Sequence, residues 1–419
     1  MRFQAPRGTQ DVLPSESHLW LRLEQEFRTI AALYGYREIR TPTFEDYDLF
    51  VRTSGDSSEV VSKQMYDFVD KGDRHVALKP EETAPAIRAV IEHGLCPPGT
   101  VLRLSYITPF FRYERPQKGR LREPHQCGLE LIGSSSHLAD AEVIEATVKF
   151  YERIGVPNIS VSLNSIGRDE CRGKFREALL KFAEPVLKDA DEEVRARALK
   201  NPLRMLDSKD PKLQEALREA PPILDFLEED SRERFEALQS ALSEAGIQYQ
   251  VTPSIVRGLD YYTETVFEVL STSLGAQSAL CGGGRYDNLV KELGGQSTPA
   301  VGVGIGVERA LIVLDAVGSS WRAPRLELYI VAATEDARLK ARELARRCRA
   351  LGITVGLDLD GKKMAAQLKQ ADRLDAVRAL IIGSDELATG SVTIRDLSSG
   401  DQQTISESEL FDVLRGNAP

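Results

Sequence analysis

The pattern of apolar residues changes after residue 324, and this change limits the folds that the 419-residue chain can adopt. From residue 326 onward, apolar runs typical of strands cover residues 326–331, 353–357 and 377–382. Helical patterns at residues 336–351 and 364–374 separate these runs. Strands that alternate with helices pair in parallel, because each helix carries the chain back across the sheet. Residues 325–419 are therefore predicted to form a compact α/β domain.

Residues 1–322 have a different pattern. Amphipathic helices are predicted at residues 15–34 and 139–154. Strands are predicted at residues 37–42, 100–113, 129–133, 159–163, 249–252, 264–270 and 300–305. Residues 168–250 are charged, rich in Ala, Leu, Glu and Arg, and interrupted by prolines. They are predicted to form a helical insertion.

Composition excludes several classes of protein. No signal peptide is recognisable, and no apolar stretch approaches the roughly 20 residues of a membrane span, so a cytoplasmic protein with no membrane partner is expected. The five cysteines include no Cys-x-x-Cys pair and the five histidines no His-Glu-x-x-His spacing. No metal site built from protein side chains is therefore predicted. A net charge of −10 argues against indiscriminate binding to nucleic acid, although a local basic patch could still bind it.

One local basic patch lies in residues 111–126. Between Arg112 and Arg122 the chain carries five basic residues and one acidic residue. Pro116 and Gly119 indicate a loop between two strands. Arg112 and Glu114, just before this loop, are expected to lie on the same face of a strand. A basic run of this kind is usually a solvated hairpin tip. The planar fork of arginine, however, suits it to binding phosphate.

Residues 301–310 read Val-Gly-Val-Gly-Ile-Gly-Val-Glu-Arg-Ala, with glycines alternating along a strand that runs into a helix. The spacing is neither that of a dinucleotide-binding turn nor that of a Walker loop. Alternating glycines leave one face of a strand bare, which either admits a flat ligand or relieves crowding. The sequence leaves both explanations open.

Three further motifs combine glycine or proline with charged and aromatic residues. They are Arg-Gly-Leu-Asp-Tyr-Tyr at 257–262, Cys-Gly-Gly-Gly-Arg-Tyr-Asp at 281–287 and Leu-Lys-Pro-Glu-Glu-Thr-Ala at 78–84. Each alone is compatible with a simple turn. Their occurrence together in one chain is not easily explained in that way.

The chain resembles histidyl-tRNA synthetases. Residues 111–126 and 301–310 are similar to motifs 2 and 3 of class II aminoacyl-tRNA synthetases, and residues 37–42 with the preceding helix are similar to motif 1. The motifs at 257–262 and 282–287 resemble the two histidine-binding motifs of the histidyl-tRNA synthetases. Residues 6–14 and 201–209 also resemble that family, and the similarity extends over essentially the whole chain.

This resemblance implies an architecture. Residues 1–322 would form an α+β class II catalytic domain with a mostly antiparallel sheet and a helical insertion at about 168–250. Residues 325–419 would form the anticodon-binding domain. Motif 1 builds a dimer interface in this class, so a homodimer is expected. The implied partners are L-histidine, ATP and histidine tRNA, with Mg²⁺ accompanying ATP.

The resemblance also implies roles for individual residues. Catalysis would depend on Arg112 and Arg257, which would converge on the α-phosphate. ATP would be bound by Arg112, Glu114, Pro124 and Arg309. Histidine would be bound by Glu81, Thr83, Gln126, Glu130, Tyr262 and Tyr286. The acceptor end of the tRNA would contact Arg115 and Gln117.

Two positions depart from the family pattern. Pro124 stands where an aromatic residue usually stacks on adenine. Glu82 replaces the glycine of a Pro-Glu-Gly-Thr turn, and since glycine often marks a positive φ, the backbone conformation of this turn is open.

Two other functions compete with this one. A paralogue that binds histidine for regulation without charging tRNA typically lacks the arginine-bearing histidine motif and the anticodon domain, and this chain has both. A pure RNA-binding module has little use for Glu81, Gln126 and Glu130 at the centre of its surface.

Overall fold

The computed structural model describes residues 3–54, 58, 60–115, 120–188, 190–200, 202–206, 211–218, 220–255, 261–272 and 279–415. The chain divides into two compact units, Met1–Trp321 and Arg322–Pro419. Within these described ranges, no helix combines the length and apolar character needed to cross a membrane.

The described part of the first unit contains both strands and helices, numbered in chain order. Strands β1–β11 are Arg37–Glu38, Phe44–Asp46, Tyr66–Val69, His75–Leu78, Leu102–Pro109, His125–Ile132, Ile159–Ser165, Tyr249–Val251, Thr263–Ser271, Ala279–Arg285 and Ala300–Gly306. Helices α1–α10 are Ser17–Leu33, Tyr47–Ser54, Thr83–Glu92, His137–Arg153, Asp169–Lys188, Glu192–Lys200, Pro211–Leu217, Glu229–Glu244, Leu289–Glu292 and Val307–Ala316. Short π- and 3₁₀-helical turns occur at Val60–Gln64, Pro202–Met205 and Ile223–Phe226.

The main sheet of this unit has, among the described residues, eight strands in the order β1-β5-β6-β11-β10-β9-β7-β8. Neighbouring strands from β5 to β7 in this order pair antiparallel. The outer pairs β1–β5 and β7–β8 are parallel. The prediction of a mostly antiparallel sheet is therefore confirmed.

The side chains of strand β6 alternate between the two faces of this sheet. Cys127, Leu129 and Leu131 are buried against α1, α4, α8 and α10 in the largest hydrophobic core. Because side chains alternate along a strand, Gln126 and Glu130 project from the opposite face. The apolar residues thus fix the register of β6, and that register presents the polar residues together on the other side of the sheet.

The predicted helical insertion is present, and Pro202, Pro211 and the pair 221–222 lie at its breaks as expected, whereas Pro185 does not interrupt its helix. Pro185 lies inside α5, which buries Phe175 and Leu179 in a second core on the polar-residue side of the sheet. The sequence did not predict the small antiparallel sheet β2-β4-β3, whose central strand β4 ends immediately before Lys79. This small sheet brings the turn at residues 79–83 to the main sheet.

The second unit is built around strands β12–β16, which are Leu328–Ala332, Val355–Leu357, Arg378–Ile382, Ser391–Asp396 and Gln402–Ser406. Its helices α11–α14 are Ala337–Ala350, Met364–Arg373, Ser384–Thr389 and Glu407–Arg415. In the sheet order β13-β12-β14-β15-β16, the first three strands are parallel, as predicted. The antiparallel strands β15 and β16 were not predicted.

Candidate active site

Glu130 is the centre of the candidate site. Its side chain is fully buried, and three hydroxyl groups donate hydrogen bonds to it. Thr83 Oγ1 and Tyr106 Oη donate to Oε1 at 2.8 and 3.1 Å, and Tyr286 Oη donates to Oε2. Burial raises the pKa of Glu130 to about 8, although these hydrogen bonds oppose the shift. Glu130 thus holds a proton near neutral pH more readily than an exposed glutamate does.

The turn that precedes α3 contributes a second buried carboxyl group. Glu81 is 4% exposed, and its two oxygens accept hydrogen bonds from the backbone N–H groups of Thr83 and Ala84 at 2.6 and 2.9 Å. These N–H groups belong to the first turn of α3, where backbone donors have no helical partner. Burial raises the pKa of Glu81 to about 7. The turn therefore holds Glu81 and Thr83 beside Glu130.

Four buried tyrosines lie around Glu130. Tyr262 and Tyr286, both predicted, are 8% and 1% exposed. No role was predicted from the sequence for Tyr261, whose ring lies 4.9 Å from that of Tyr262 and 5.7 Å from that of Tyr286, centroid to centroid. Tyr106 was not predicted either, and it lies directly opposite Gly128 across the β5–β6 pair. Only the register of these strands, which no local motif encodes, could have identified Tyr106.

The alternating glycines of β11 make room for the predicted histidine-binding side chains. Gly302 pairs with Glu130 across the strands, and a Cβ atom on Gly302 would lie 1.7 Å from Glu130 Oε2. A Cβ atom on Gly304 would lie 1.5 Å from Gln126 Nε2. Relief of crowding is therefore the physical reason for these two glycines. Any larger residue would displace the polar side chains from this face.

Arg112 approaches the same turn from the other side. Its Nε donates to the carbonyl oxygen of Pro80 at 2.8 Å, and its guanidinium lies 4.9 Å from the centroid of the Phe110 ring. Its terminal nitrogens donate to no other described residue. Burial lowers the pKa of Arg112, yet an arginine stays charged at neutral pH. Among the described residues, therefore, nothing competes with an anionic ligand for the terminal nitrogens of Arg112.

The expectation that Arg112 and Glu114 alternate along a strand is wrong. Strand β5 ends at Pro109, and the backbone N–H of Glu114 donates to the carbonyl oxygen of Arg112 at 2.8 Å. A bond to the residue two positions back closes a tight turn, which an extended strand cannot contain. The Glu114 carboxylate lies 3.7 Å from Arg120 across the loop.

The remaining predicted residues are distributed as follows. Pro124 is half-buried, and its carbonyl oxygen accepts a hydrogen bond from the N–H of Phe110. Arg309 donates to the carbonyl oxygen of Ala279 on β10, and Arg115 is exposed. Gln117 and Arg257 lie outside the described residues.

Among the residues that are described, no group of three His, Cys, Asp or Glu side chains is arranged to hold a metal ion.

The sequence left open the backbone conformation at Glu82, where the family pattern has glycine, and the structure determines it. Glu82 has φ −110° and ψ −20°, a right-handed conformation open to any residue. Its side chain is buried and forms an ion pair with Lys79. No strain at Glu82 therefore arises from the absence of glycine.

The mostly antiparallel sheet, the arginine-bearing loop and the glycine strand that enters α10 define a class II aminoacyl-tRNA synthetase. A family model described as histidyl-tRNA synthetase matches residues 8–310, and one described as an anticodon binding domain matches residues 327–417. The chain belongs to the histidyl-tRNA synthetase family.

Individual relatives support this assignment over nearly the full length. The histidine–tRNA ligase of Synechococcus elongatus is 46% identical, over 97% of this chain and 94% of the relative. That of a Picosynechococcus strain is 46% identical, over 98% and 96%. The crystal structure of apo Staphylococcus aureus histidyl-tRNA synthetase has a TM-score of 0.84 at 35% identity, covering 98% of this chain and 99% of that chain.

Proposed function

We propose that the side chains around Glu130 select histidine for an ATP-dependent reaction that ends on the 3′ end of histidine tRNA. The chain is an ATP-dependent aminoacyl-tRNA ligase for histidine. The observation that carries the proposed site is the buried carboxyl group of Glu130 with its three hydroxyl donors. A substrate N–H directed at Glu130 favours the ionised carboxylate. That form offers about four acceptor positions, so one remains for the substrate.

Histidine recognition would combine two sets of contacts. Glu81, Thr83 and Gln126 would accept hydrogen bonds from the substrate ammonium group. Glu130 would accept the imidazole N–H, while Tyr262 and Tyr286 would close the pocket around the ring. Buried polar partners left unpaired reject a substrate that lacks the imidazole nitrogens by about 10⁴-fold or more.

Adenylate formation would need positioning and charge stabilisation but no protein base, because the histidine carboxylate is already an anion. Arg112 and Arg257 would contact the α-phosphate, and the terminal nitrogens of Arg112, which bond to no residue that the structure describes, support this role. Arg309 would reach the γ-phosphate and Glu114 the adenine amine, with Pro124 against the ring. Mg²⁺ would be bound chiefly by phosphate oxygens, which is the usual arrangement for this ion.

The rest of the chain would serve transfer to tRNA. We propose that residues 1–322 form the catalytic domain and residues 325–419 the domain that binds the anticodon. Arg115, which is exposed, and Gln117 would contact the acceptor end. The enzyme would act as a cytoplasmic homodimer joined through the segment that includes α1 and β1.

Transfer of radiolabelled histidine to tRNA by the purified full-length chain tests this function. Charging of histidine tRNA is expected with ATP present and not without it. The alternative, a regulatory subunit that binds histidine without transferring it, predicts histidine binding with no charged tRNA. That result would overturn the proposed function.

Exposed basic residues on and beside α12 are predicted to contribute to tRNA affinity. Lys363, Lys369 and Arg373 are exposed, whereas Lys362 pairs with Asp360 at 3.1 Å. Replacing the three exposed residues with alanine should raise the KM for tRNA by about 10-fold and lessen its dependence on salt, because fewer counterions are released. Histidine-dependent pyrophosphate exchange should not change.

A matched variant controls for the loss of charge alone. Arg176 and Lys181 are exposed on α5, and Arg195 is exposed on α6. Their joint replacement by alanine removes the same charge from the insertion and should leave the salt dependence closer to that of the wild type. Equal effects of the two triple variants would contradict a specific role for the basic residues at α12.

A further inference from the structure

A buried ionic cluster lies directly behind the turn that carries Glu81 and Thr83. The side chains of Lys79 and Glu82 are 2% and 0% exposed, and Lys79 Nζ lies 2.8 Å from Glu82 Oε2. Thr41 Oγ1 donates to Glu82 Oε1 at 2.6 Å and accepts a hydrogen bond from Lys79 Nζ at 3.2 Å. We name these three side chains the Lys79 cluster, in which the two charged groups are buried and Thr41 is partly buried.

The Lys79 cluster joins three separate segments of the backbone. The N–H of Lys79 donates to the carbonyl oxygen of Thr43, and its own carbonyl oxygen accepts from the N–H of Phe111. Glu82 is the residue before α3, and its carbonyl oxygen accepts the N–H of Ala86 in the first turn of that helix. The segment after β1, the turn before α3 and the start of the arginine-bearing loop therefore meet at this cluster.

We propose that Lys79 and Glu82 are positioning residues that hold Glu81 and Thr83 in place for the histidine ammonium group. This inference rests on the proposed function of the pocket and adds two residues to it. The ion pair, hydrogen-bonded to Thr41, holds Glu82 at the start of α3. Because Glu82 lies between Glu81 and Thr83 in the chain, movement of its side chain displaces both.

The expected effect falls on histidine more than on ATP. Glu81 and Thr83 are the immediate neighbours of Glu82. The backbone of Arg112 has a second anchor, since its N–H donates to the carbonyl oxygen of Arg122 at 3.0 Å. Loss of the cluster should therefore weaken histidine binding, while the backbone of the arginine-bearing loop keeps its conformation.

The test compares three forms of the full-length enzyme in histidine-dependent pyrophosphate exchange. Glu82→Gln leaves the Lys79 ammonium buried without its partner, which lowers stability as well as function. The double variant Lys79→Met/Glu82→Met removes both charges at similar volume, so it should regain thermal stability. Both variants are expected to raise the KM for histidine by about 10-fold or more, with less than about a 3-fold change in the KM for ATP.

Two controls separate positioning from general structure. Thr41→Ser keeps the bridging hydroxyl and should preserve the KM for histidine, whereas Thr41→Val should raise it. Arg103→Met/Glu142→Met removes a bidentate ion pair on the opposite face of the sheet, with N–O distances of 2.7 and 2.8 Å. That variant should leave the KM for histidine unchanged.

The outcomes distinguish this inference from the proposed function. If the wild-type enzyme does not activate histidine, the proposed function fails. If the wild type does, and the stable double variant at Lys79 and Glu82 binds histidine as tightly as the wild type, the cluster is only structural and the inference is wrong. A KM for ATP that rises as much as that for histidine would also overturn it.

Discussion

Replacing Glu130 with glutamine is expected to lower histidine-dependent pyrophosphate exchange by about 10³-fold. The reason is the number of acceptor positions on the ionised carboxyl group, about four, in the form that a bound imidazole N–H favours. Thr83 and Tyr106 already donate to one oxygen and Tyr286 to the other. A glutamine amide has one acceptor oxygen with two positions, so none would remain for the imidazole N–H. Steady-state exchange across a range of histidine concentrations measures the loss.

The same substitution should change how stability depends on pH. The folded state binds a proton at Glu130 up to about pH 8, whereas the unfolded chain releases it near pH 4.5. The folded state therefore holds more protons between these values, and wild-type stability should fall as pH rises through this window. Glutamine cannot ionise, so the variant should lack a slope of up to about 1.4 kcal/mol per pH unit. Urea unfolding at pH 5, 6, 7 and 8 measures the difference.

An exposed glutamate provides the control for this experiment. Glu177 lies on the surface of α5, and Glu177→Gln should keep the wild-type pH dependence of stability. If Glu130→Gln and the wild type lose stability in parallel between pH 5 and pH 8, the buried carboxyl group of Glu130 does not hold the proton assigned to it. Full exchange activity in Glu130→Gln would separately contradict its role in the pocket.

Replacing Arg112 with alanine is expected to slow adenylate formation by about 10²- to 10³-fold, because a donor aimed at charge in the transition state is lost. Arg112→Lys should rescue little of this, since a single ammonium cannot both bond to Pro80 and present a fork to phosphate. Single-turnover formation of histidyl-adenylate measures the rate, and histidine affinity should change little.

Arg115 offers the matched comparison for Arg112. It lies in the same loop but is exposed, and its proposed contact is the tRNA acceptor end. Arg115→Ala should keep adenylate formation and lose part of the transfer to tRNA. If Arg112→Ala instead forms adenylate at the wild-type rate but melts at a much lower temperature, Arg112 is a structural residue.

The sequence predicted those parts of the fold that depend on local patterns. Helix α1 was predicted at 15–34 and observed at Ser17–Leu33, and strand β11 was predicted at 300–305 and observed at Ala300–Gly306. These elements have long, regular apolar patterns. The short strands β2–β4 lack such a pattern, because each buries few side chains and is held by its neighbours in the sheet.

The same distinction applies to the candidate site, where residues in a local motif were predicted and residues that depend on strand pairing were not. Glu81 and Thr83 could be named because they lie in a contiguous motif. Tyr106 could not, because its contact with Glu130 depends on the pairing of β5 with β6. The ion pair of Lys79 with Glu82 was also missed, because an acidic residue in a turn is usually solvated, whereas the fold buries Glu82 beside Lys79 and Thr41.

Pyrophosphate exchange with each of the twenty amino acids tests the central claim that this pocket selects histidine. The buried carboxyl group of Glu130 and its hydroxyl donors predict that histidine alone drives exchange well above background. Glutamine and asparagine, which also carry polar nitrogen groups, should fail because neither has an aromatic ring to pack against the tyrosines. Exchange supported equally well by proline, glycine or threonine would contradict the assignment of this pocket to histidine.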